Sequence, residues 1–514
     1  MSRLLALSLY QALVVVCSFI FAKVTIVTIY RLWWHPLARY PGPFFAKISD
    51  WYAAYHAYQG DIHKDVLHAH EKYGNIVRYG PNRLVFSTAE AMHDIHFAKN
   101  VRKSDAYKGI LSGPNASNVH NALDKTDNQR KRKLIARWLS EDQLKQFESN
   151  ILRQSEIFIK GIIESEVSPD GWTKPVNIAN HCRYLIFDIA SELTLGHNFQ
   201  LQTNPTNRYM IHFASPLHRF NSAFVQSVDL AGYHLEKIFY PQALWYVWKL
   251  FREGSRFSAE KVQSMDKPHN PLISLLYKER DPESGKELSA TQIWSELKFV
   301  MVTGAGSPAS ALAAIFFYLM RHPRCYEKLV KEIRSTFSDA SEIHTGPKMS
   351  SCLFLQACIK EGFRLSPSTG AILWRNVEDG GLKIDGEHVD AGFDVGTGIY
   401  AMNHNEEYFP NASIFEPERW LLDETTSDLA LASRAFTTFS MGPRRCLGQS
   451  LATTEIRDTI ALVLWHLDLR RPKQTCNDIG GGKRGSVDEN EFQQEDHIVS
   501  FFDGPCLEFR RRSF

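Results

Sequence analysis

Apolar and polar residues along the chain first separate an N-terminal segment from everything after it. From Leu4 to Ala22, "LLALSLYQALVVVCSFIFA" runs without a charge for about the length a helix needs to cross a bilayer. The next unusual stretch is "HPLARYPGP", His35 to Pro43. Its prolines fix φ and restrict the residues before them, so it predicts a stiff, non-helical strap. Beyond it, apolar positions recur mostly at helical spacing. Ser289, with Gln292 three residues on, predicts a capping box and a helix running to about Arg321, where His322-Pro323 stops it. Further helices are expected from about Arg324 to Phe337, from about Ser351 to Leu365, and after Cys446. Short strand patterns occur in "NIVRYG", "RLVFST", "LKIDG" and "GFDVGTGIY". No repeat of 20–50 residues is visible. The fold class expected is mainly α with small β-sheets, divided into an anchor over 1–30, a proline-rich strap over 31–45 and one large domain over 46–514.

Composition and charge narrow the function. The chain has 514 residues and a formal net charge of +2, which argues against nucleic acid as a main partner. The run Arg130 to Lys133 is too short to change that. The eight cysteines form no CxxC pair and no disulfide framework, which favours a reducing compartment. Lys23, Arg31 and Arg39 flank the apolar segment on its C-terminal side, placing the large domain in the cytosol by the positive-inside rule. The apolar run is longer than the core of a secretion signal, and no persuasive cleavage site follows it. Several familiar sites are missing. "GGGKRGS", inside the polar stretch Cys476 to Asp496, lacks a P-loop's ending and context, and that stretch is expected to be an exposed loop. "HEKYG" lacks a zincin's second histidine, and His68 and His70 point apart on a helix. No G-x-S-x-G or G-x-G-x-x-G fingerprint stands out, so a nicotinamide or flavin belongs on a partner.

Two stretches carry chemistry. "TGAGSPAS", Thr303 to Ser310, sets two glycines and a proline inside the helix expected over 290–321. Pro308 has no N–H and its ring opposes the carbonyl of Gly304. "FSMGPRRCLGQS", Phe439 to Ser450, places a cysteine between arginines and a glycine at the start of a helix. N–H groups at a helix start and nearby cations lower a thiol pKa and support a thiolate. Gly442 and Gly448 allow tight turns and close approach of backbone to a flat ligand.

The pattern F-x-x-G-x-R-x-C-x-G is met at Phe439, Gly442, Arg444, Cys446 and Gly448. It resembles the haem-binding loop of the cytochrome P450 family, and "KEGFR", with Glu361 and Arg364, and "FEPERW", with Arg419, follow the family's order. The resemblance runs from the apolar segment almost to the C-terminus, in the style of fungal microsomal members. It implies the cytochrome P450 fold preceded by one N-terminal transmembrane helix. Cys446 would be the axial ligand of haem b (iron protoporphyrin IX), and Glu361, Arg364 and Arg419 a structural triad behind its loop. It implies haem carboxylates held by Arg132, Arg375 and Arg444. A further donor stands in the family where this chain has Asn128, a departure that predicts a weaker bond. "TGAGSPAS" aligns with the family's oxygen-activating helix: Gly304 is kept, the hydroxyl survives as Ser307, and the usual acid is replaced by Gly306. Catalytic roles are therefore expected for Ser307 and Gly304, with the proton passing through Ser307 and water, or through a substrate hydroxyl.

The activity implied is insertion of one oxygen atom from O₂ into a lipophilic small molecule, in fungal secondary metabolism. Electrons would come from an NADPH-cytochrome P450 reductase, drawn in part by the basic residues near Lys131 and Lys133. The implied location is the endoplasmic reticulum membrane, with the catalytic domain cytosolic. The missing acid leaves open non-hydroxylating chemistry such as desaturation, rearrangement, ring expansion or peroxide-dependent oxidation; from another class, a haem-binding scaffold without turnover also remains. The segment Ser104 to Leu123 is expected to roof the site, Pro367 to Leu373 to skirt it, and the aromatic-rich region Phe213 to Phe251 to form a lid against the membrane.

Overall fold

The computed structural model describes residues 2–110, 117–212, 214–233, 235–239, 241–242, 245, 248–249, 252, 272–280, 285–422, 427–472 and 489–513. Helices dominate, with small sheets beside them. The helices that position the site are α1 (Ser2–Ile29), α2 (Lys125–Trp138), α3 (Ile178–Leu195), α4 (Ala290–Arg321), α5 (Leu353–Leu365) and α6 (Gln449–His466).

The N-terminal helix stands clear of the rest, and its apolar span, Tyr10–Trp34, is long enough to cross a membrane and has no buried residue. A turn over Tyr30–Trp34 ends it. The strap after it is held by specific bonds rather than by proline stiffness alone. His35 Nε2 meets Asn82 Oδ1 at 3.0 Å, and Arg78 donates to the carbonyls of Arg31 and Pro81.

The core is built around α4. Its N-terminus carries the expected capping box: Gln292 N–H donates to Ser289 Oγ and Ser289 N–H to Gln292 Oε1. From Pro308 to Met320 every residue is buried, and α4 packs lengthwise on α3. The glycines and proline do not break this helix, which runs unbroken from Ala290 to Arg321 with Pro308 inside it. Burial on all sides supplies the packing that propensity lacks. His322 ends it, and Pro323 opens the next helix, Pro323–Thr336. Gly362 lets α5 approach α4, because a Cβ there would collide with Ile315.

A five-stranded sheet lies to one side, with β1 (Ile76–Gly80), β2 (Arg83–Phe86), β3 (Val101–Lys103), β4 (Arg375–Val377) and β5 (Asp394–Thr397) in spatial order β1-β2-β5-β4-β3. The pair β3–β4 matters for the site, since its register sets Lys103 opposite Arg375. A C-terminal hairpin, β6 (Glu495–His497) and β7 (Val499–Phe501), lies against α4. The stretch Cys476 to Asp496 was expected to be an exposed loop. Residues 476–488 lie outside the described residues, but Phe492, Gln493, Gln494 and Asp496 are buried, so its C-terminal end is part of the fold. Asp496 explains why: its carboxylate accepts the N–H groups of Gly370 and Ile498 and pins the hairpin to the segment after α5.

Candidate active site

Between α4 and the loop ahead of α6 lies a cavity of about 350 Å³. Cys446 forms part of its wall, with Gly304 and Ser307 on α4, Arg132 on α2, Arg375 on β4 and Arg444 beside the cysteine. Phe439 and Gly448 also line it; Gly442 does not. Gly442 instead turns the loop at φ +69°, pressed against the carbonyl of His96 where no Cβ has room. The loop closes on itself through Cys446 N–H to the Phe439 carbonyl, 2.8 Å, and α6 begins at Gln449.

The thiol environment differs from the sequence expectation. Cys446 is open to the cavity rather than to bulk solvent, and burial pushes its pKa up. The N–H groups of Gly448 and Gln449 and the charge of Arg132 oppose that shift without overcoming it.

Behind the loop, Glu361, Arg364 and Arg419 meet. Both oxygens of Glu361 pair with Arg364, at 2.8 and 2.9 Å, and Arg419 Nε donates to Oε1 at 3.1 Å. Trp420 Nε1 and Glu416 N–H complete the shell. Glu361 and Arg364 are 0% exposed, so neither charge has solvent to fall back on. Burial works to raise the pKa of Glu361, but the two guanidiniums outweigh it and hold the carboxyl below its usual range. The remaining Arg364 donors reach the carbonyls of Asn403, Ala412 and Ile414. Asn403 then binds the Arg364 carbonyl and Thr438 Oγ1, and Thr438 precedes Phe439. The triad thus reaches the cysteine loop through Asn403 and Thr438, which the sequence reading did not single out.

The cations on the cavity are arranged without matching acids. Arg444 donates to the carbonyls of Ala122 and Leu123, Arg132 to the carbonyl of Arg445, and Arg375 to the carbonyl of Trp374. Burial and the neighbouring Arg375 and Arg132 push the Arg444 guanidinium down to about 10. Lys103 and Tyr107 also line the cavity, and among the described residues none of these four cations pairs with a carboxylate. Sequence reasoning missed Lys103 and had Tyr107 and His120 only as members of the roof segment, because nothing local marks a residue whose partner lies on another strand or loop.

Two expectations need correction. Asn128 does not reach the cavity; it is buried and its amide donates to the Val119 carbonyl at 2.7 Å. Lys131 is unavailable to an acidic partner, because its ammonium is buried against Glu296 Oε1 at 2.8 Å. Lys133, Arg137 and Arg445 are exposed nearby.

On α4, Thr303 bonds back to the Phe299 carbonyl, whereas the Ser307 hydroxyl lines the cavity with no partner among the described residues. The Ser307 carbonyl accepts from Ser368 Oγ at 2.7 Å. Gly306, where the acid was expected to be missing, faces the C-terminal hairpin: a Cβ there would sit 2.5 Å from Val499 Cγ1. Ile498, at the hairpin turn with φ +73°, and Val499 both line the cavity. One acid is present elsewhere, Glu455 on α6, whose carboxyl burial holds well above its usual range.

The roof is partly visible: Tyr107, Val119 and His120 line the cavity, while residues 111–116 lie outside the described residues. Ser368, Thr369 and Leu373 supply the expected skirt. Of the aromatic-rich region Phe213 to Phe251, residues 213, 234, 240, 243–244, 246–247 and 250–251 lie outside the described residues. Phe220 and Phe224 are core, and Tyr233, Phe239, Trp245 and Trp248 are exposed; none lines the cavity.

A thiol, apolar walls and buried or half-buried cations lacking counter-anions suit a flat iron ligand carrying two carboxylates, so the residues present fit a haem. Comparison with known proteins agrees. The cytochrome P450 family model matches residues 41–487. Cytochrome P450 monooxygenase apf7 of Gibberella fujikuroi is 35% identical, covering 96% of this chain and 97% of that protein. Cytochrome P450 monooxygenase AKT7 of Alternaria alternata is 32% identical over 98% of each, and cytochrome P450 monooxygenase atnE of Emericella nidulans is 32% identical over 94% of this chain and 93% of its own length.

Proposed function

The chain belongs to the cytochrome P450 family, and from that premise we propose that it inserts one oxygen atom from O₂ into a lipophilic small molecule, as a tailoring step in fungal secondary metabolism. The observation that carries this reading is Cys446 opening onto a cavity where Arg132, Arg375 and Arg444 meet no carboxylate among the described residues. When bound, haem b supplies oxygen activation, with the sulfur as an electron-donating ligand. Cys446 Sγ would hold the iron, and Arg132, Arg375 and Arg444 would offset the two carboxylates. Phe439 and Gly448 leave the flat space beside the sulfur, and Gly442 sets the turn that presents it. Glu361, Arg364 and Arg419 keep the loop in place through Asn403 and Thr438.

On the distal wall, Ser307 Oγ holds the proton needed for O₂ activation and passes it inward. Gly304 provides the carbonyl freed by Pro308, a site for an ordered water beside that hydroxyl. Leu193, Phe299 and Val300 exclude bulk water from the same space. Electrons come from an NADPH-dependent flavoprotein reductase, for which exposed Lys133, Arg137 and Arg445 near the cysteine loop form a complementary surface. Residues 1–30 anchor the chain in the endoplasmic reticulum membrane, residues 31–45 strap it to the catalytic domain of 46–514, and that domain faces the cytosol.

Purified protein with a reductase tests the reading. The reduced, CO-bound protein should give the thiolate-type difference spectrum, lost in Cys446→Ala, and NADPH and O₂ should be consumed in step with product. The Gly306–Val499 contact favours a second reading: with the acid's place filled, the same site performs desaturation, rearrangement or ring expansion. Product mass and ¹⁸O₂ labelling separate the two, since only insertion adds a labelled oxygen.

A further inference from the structure

Pro308 leaves α4 one bond short beside its cavity-facing hydroxyl. The Gly304 carbonyl has lost its helix donor, because residue 308 carries no N–H. A serine or threonine inside a helix commonly folds back onto a carbonyl three or four residues earlier. Thr303 does this, donating to the Phe299 carbonyl at 2.7 Å. Ser307 has the Gly304 carbonyl three residues back, yet its hydroxyl lines the cavity with no partner among the described residues. Contacts from outside the helix account for the difference.

Those contacts come from the segment after α5 and from the C-terminal hairpin. Ser368 Oγ donates to the Ser307 carbonyl at 2.7 Å. A helix carbonyl bonded from outside tilts toward its donor, which turns the peptide joining Ser307 to Pro308 toward Ser368. One residue earlier, Val499 packs on Gly306 so closely that a Cβ would sit 2.5 Å from its Cγ1. Ser368 is itself held by the hairpin: its carbonyl accepts the Ser500 N–H at 2.9 Å and the Ser500 hydroxyl at 3.0 Å. The next two residues repeat the attachment. Thr369 Oγ1 donates to the Ile498 carbonyl at 2.6 Å, and Gly370 N–H to Asp496 Oδ2 at 2.7 Å. Three successive residues lock this segment to the hairpin, and Ser368 passes the constraint to α4.

We propose that Ser368 is a positioning residue for the Ser307 hydroxyl. Its bond to the Ser307 carbonyl keeps that hydroxyl turned into the cavity instead of folded back on Gly304, and Ser500 orients Ser368 for the task. Placement matters because moving a reacting group by about 1 Å costs about 100-fold in rate. The inference rests on the proton-carrying role given to Ser307 above and adds the residue that holds it ready.

The test is the infrared C–O stretch of the reduced, CO-bound, detergent-solubilised protein. An O–H donated to the bound CO lowers that frequency, and the reading needs no substrate and no turnover. Ser307→Ala should raise the band. Ser368→Ala should raise it to the same place, because the released hydroxyl folds onto Gly304. Ser368→Thr, which keeps the donor, should restore the native band. The double variant Ser307→Ala/Ser368→Ala should match Ser307→Ala alone, since Ser368 acts only through Ser307. If Ser368→Ala takes up no haem, Ser500→Ala decides by a smaller shift in the same direction. A native band in Ser368→Ala, or in Ser500→Ala where that variant decides, overturns the proposal. So does a further shift in the double variant, which would mean that the Ser368 hydroxyl acts on the cavity directly. If Ser307→Ala itself keeps the native band, the proton-carrying reading of Ser307 fails, and this inference with it.

Discussion

Gly306→Ala should destabilise the protein, although the same change on an ordinary helix stabilises it. In a helix interior alanine is favoured over glycine by about 1 kcal/mol. Here the added Cβ would sit 2.5 Å from Val499 Cγ1, far inside van der Waals contact. Val499 cannot swing away freely. Its hairpin is held by Ser500 to the Ser368 carbonyl, by Thr369 to the Ile498 carbonyl and by the Asp496 carboxylate. Overpacking of this kind costs about 2–3 kcal/mol, so the net loss should be about 1–2 kcal/mol. Val499→Ala alone removes two buried methyl groups and should cost about 1.5 kcal/mol. In the double variant the clash disappears and the helix gain remains, leaving a loss of only about 0.5 kcal/mol. The coupling between the two sites is then about 2–3 kcal/mol, favourable to the pair of substitutions. Gly304→Ala is the internal control, because its Cβ would meet only Ala190 Cβ, at an ordinary 3.8 Å. Urea unfolding of the detergent-solubilised holoprotein, followed by tryptophan fluorescence and the Soret band, measures all four variants. A Gly306→Ala protein more stable than wild type, or a double variant equal to the sum of the singles, would refute the idea that the hairpin closes the acid's position.

Lys131→Met should cost about 3–5 kcal/mol, since it strands the buried Glu296 carboxylate, whereas Lys131→Met/Glu296→Leu should recover most of that loss; paired thermal unfolding curves show whether it does. Glu361→Gln leaves the fully buried Arg364 without its counter-charge and Arg419 with only the half-exposed Glu416, and should abolish haem-loaded protein, read from the CO difference spectrum and yield. For Glu455 the sign of the pH dependence is fixed by burial, which holds the folded carboxyl well above its ordinary value of 4.5. Below that value neither state is ionised and nothing is lost. As pH rises above it, the unfolded chain ionises first, so wild-type stability falls relative to Glu455→Gln until the folded carboxyl also ionises. Urea unfolding at stepped pH follows the gap, and parallel curves would count against a neutral buried acid.

The helices were legible because their signals are local. Ser289 and Gln292 announce the start of α4, and His322-Pro323 its end. The cysteine loop was legible because its residue types must follow one another closely to turn, accept a flat ligand and begin α6. The triad was legible, Glu361 and Arg364 from their shared helix face and Arg419 from the resemblance of "FEPERW", but Trp420 and Asn403 join them only through folding. Asn128 and Lys131 were misplaced because helical spacing tells which face a residue occupies and not what covers that face.

Sequence by itself therefore settled the kind of molecule: an apolar N-terminal helix, a mainly helical domain and a cysteine loop in one family's pattern, all encoded over short separations. Only the tertiary structure decided how the cavity is charged and walled. Lys103, His120, Arg375 and Arg444 come from four separate segments, and Val499 meets Gly306 from 193 positions away. Such pairings depend on strand register, helix packing and burial, and no periodicity along the chain carries that information.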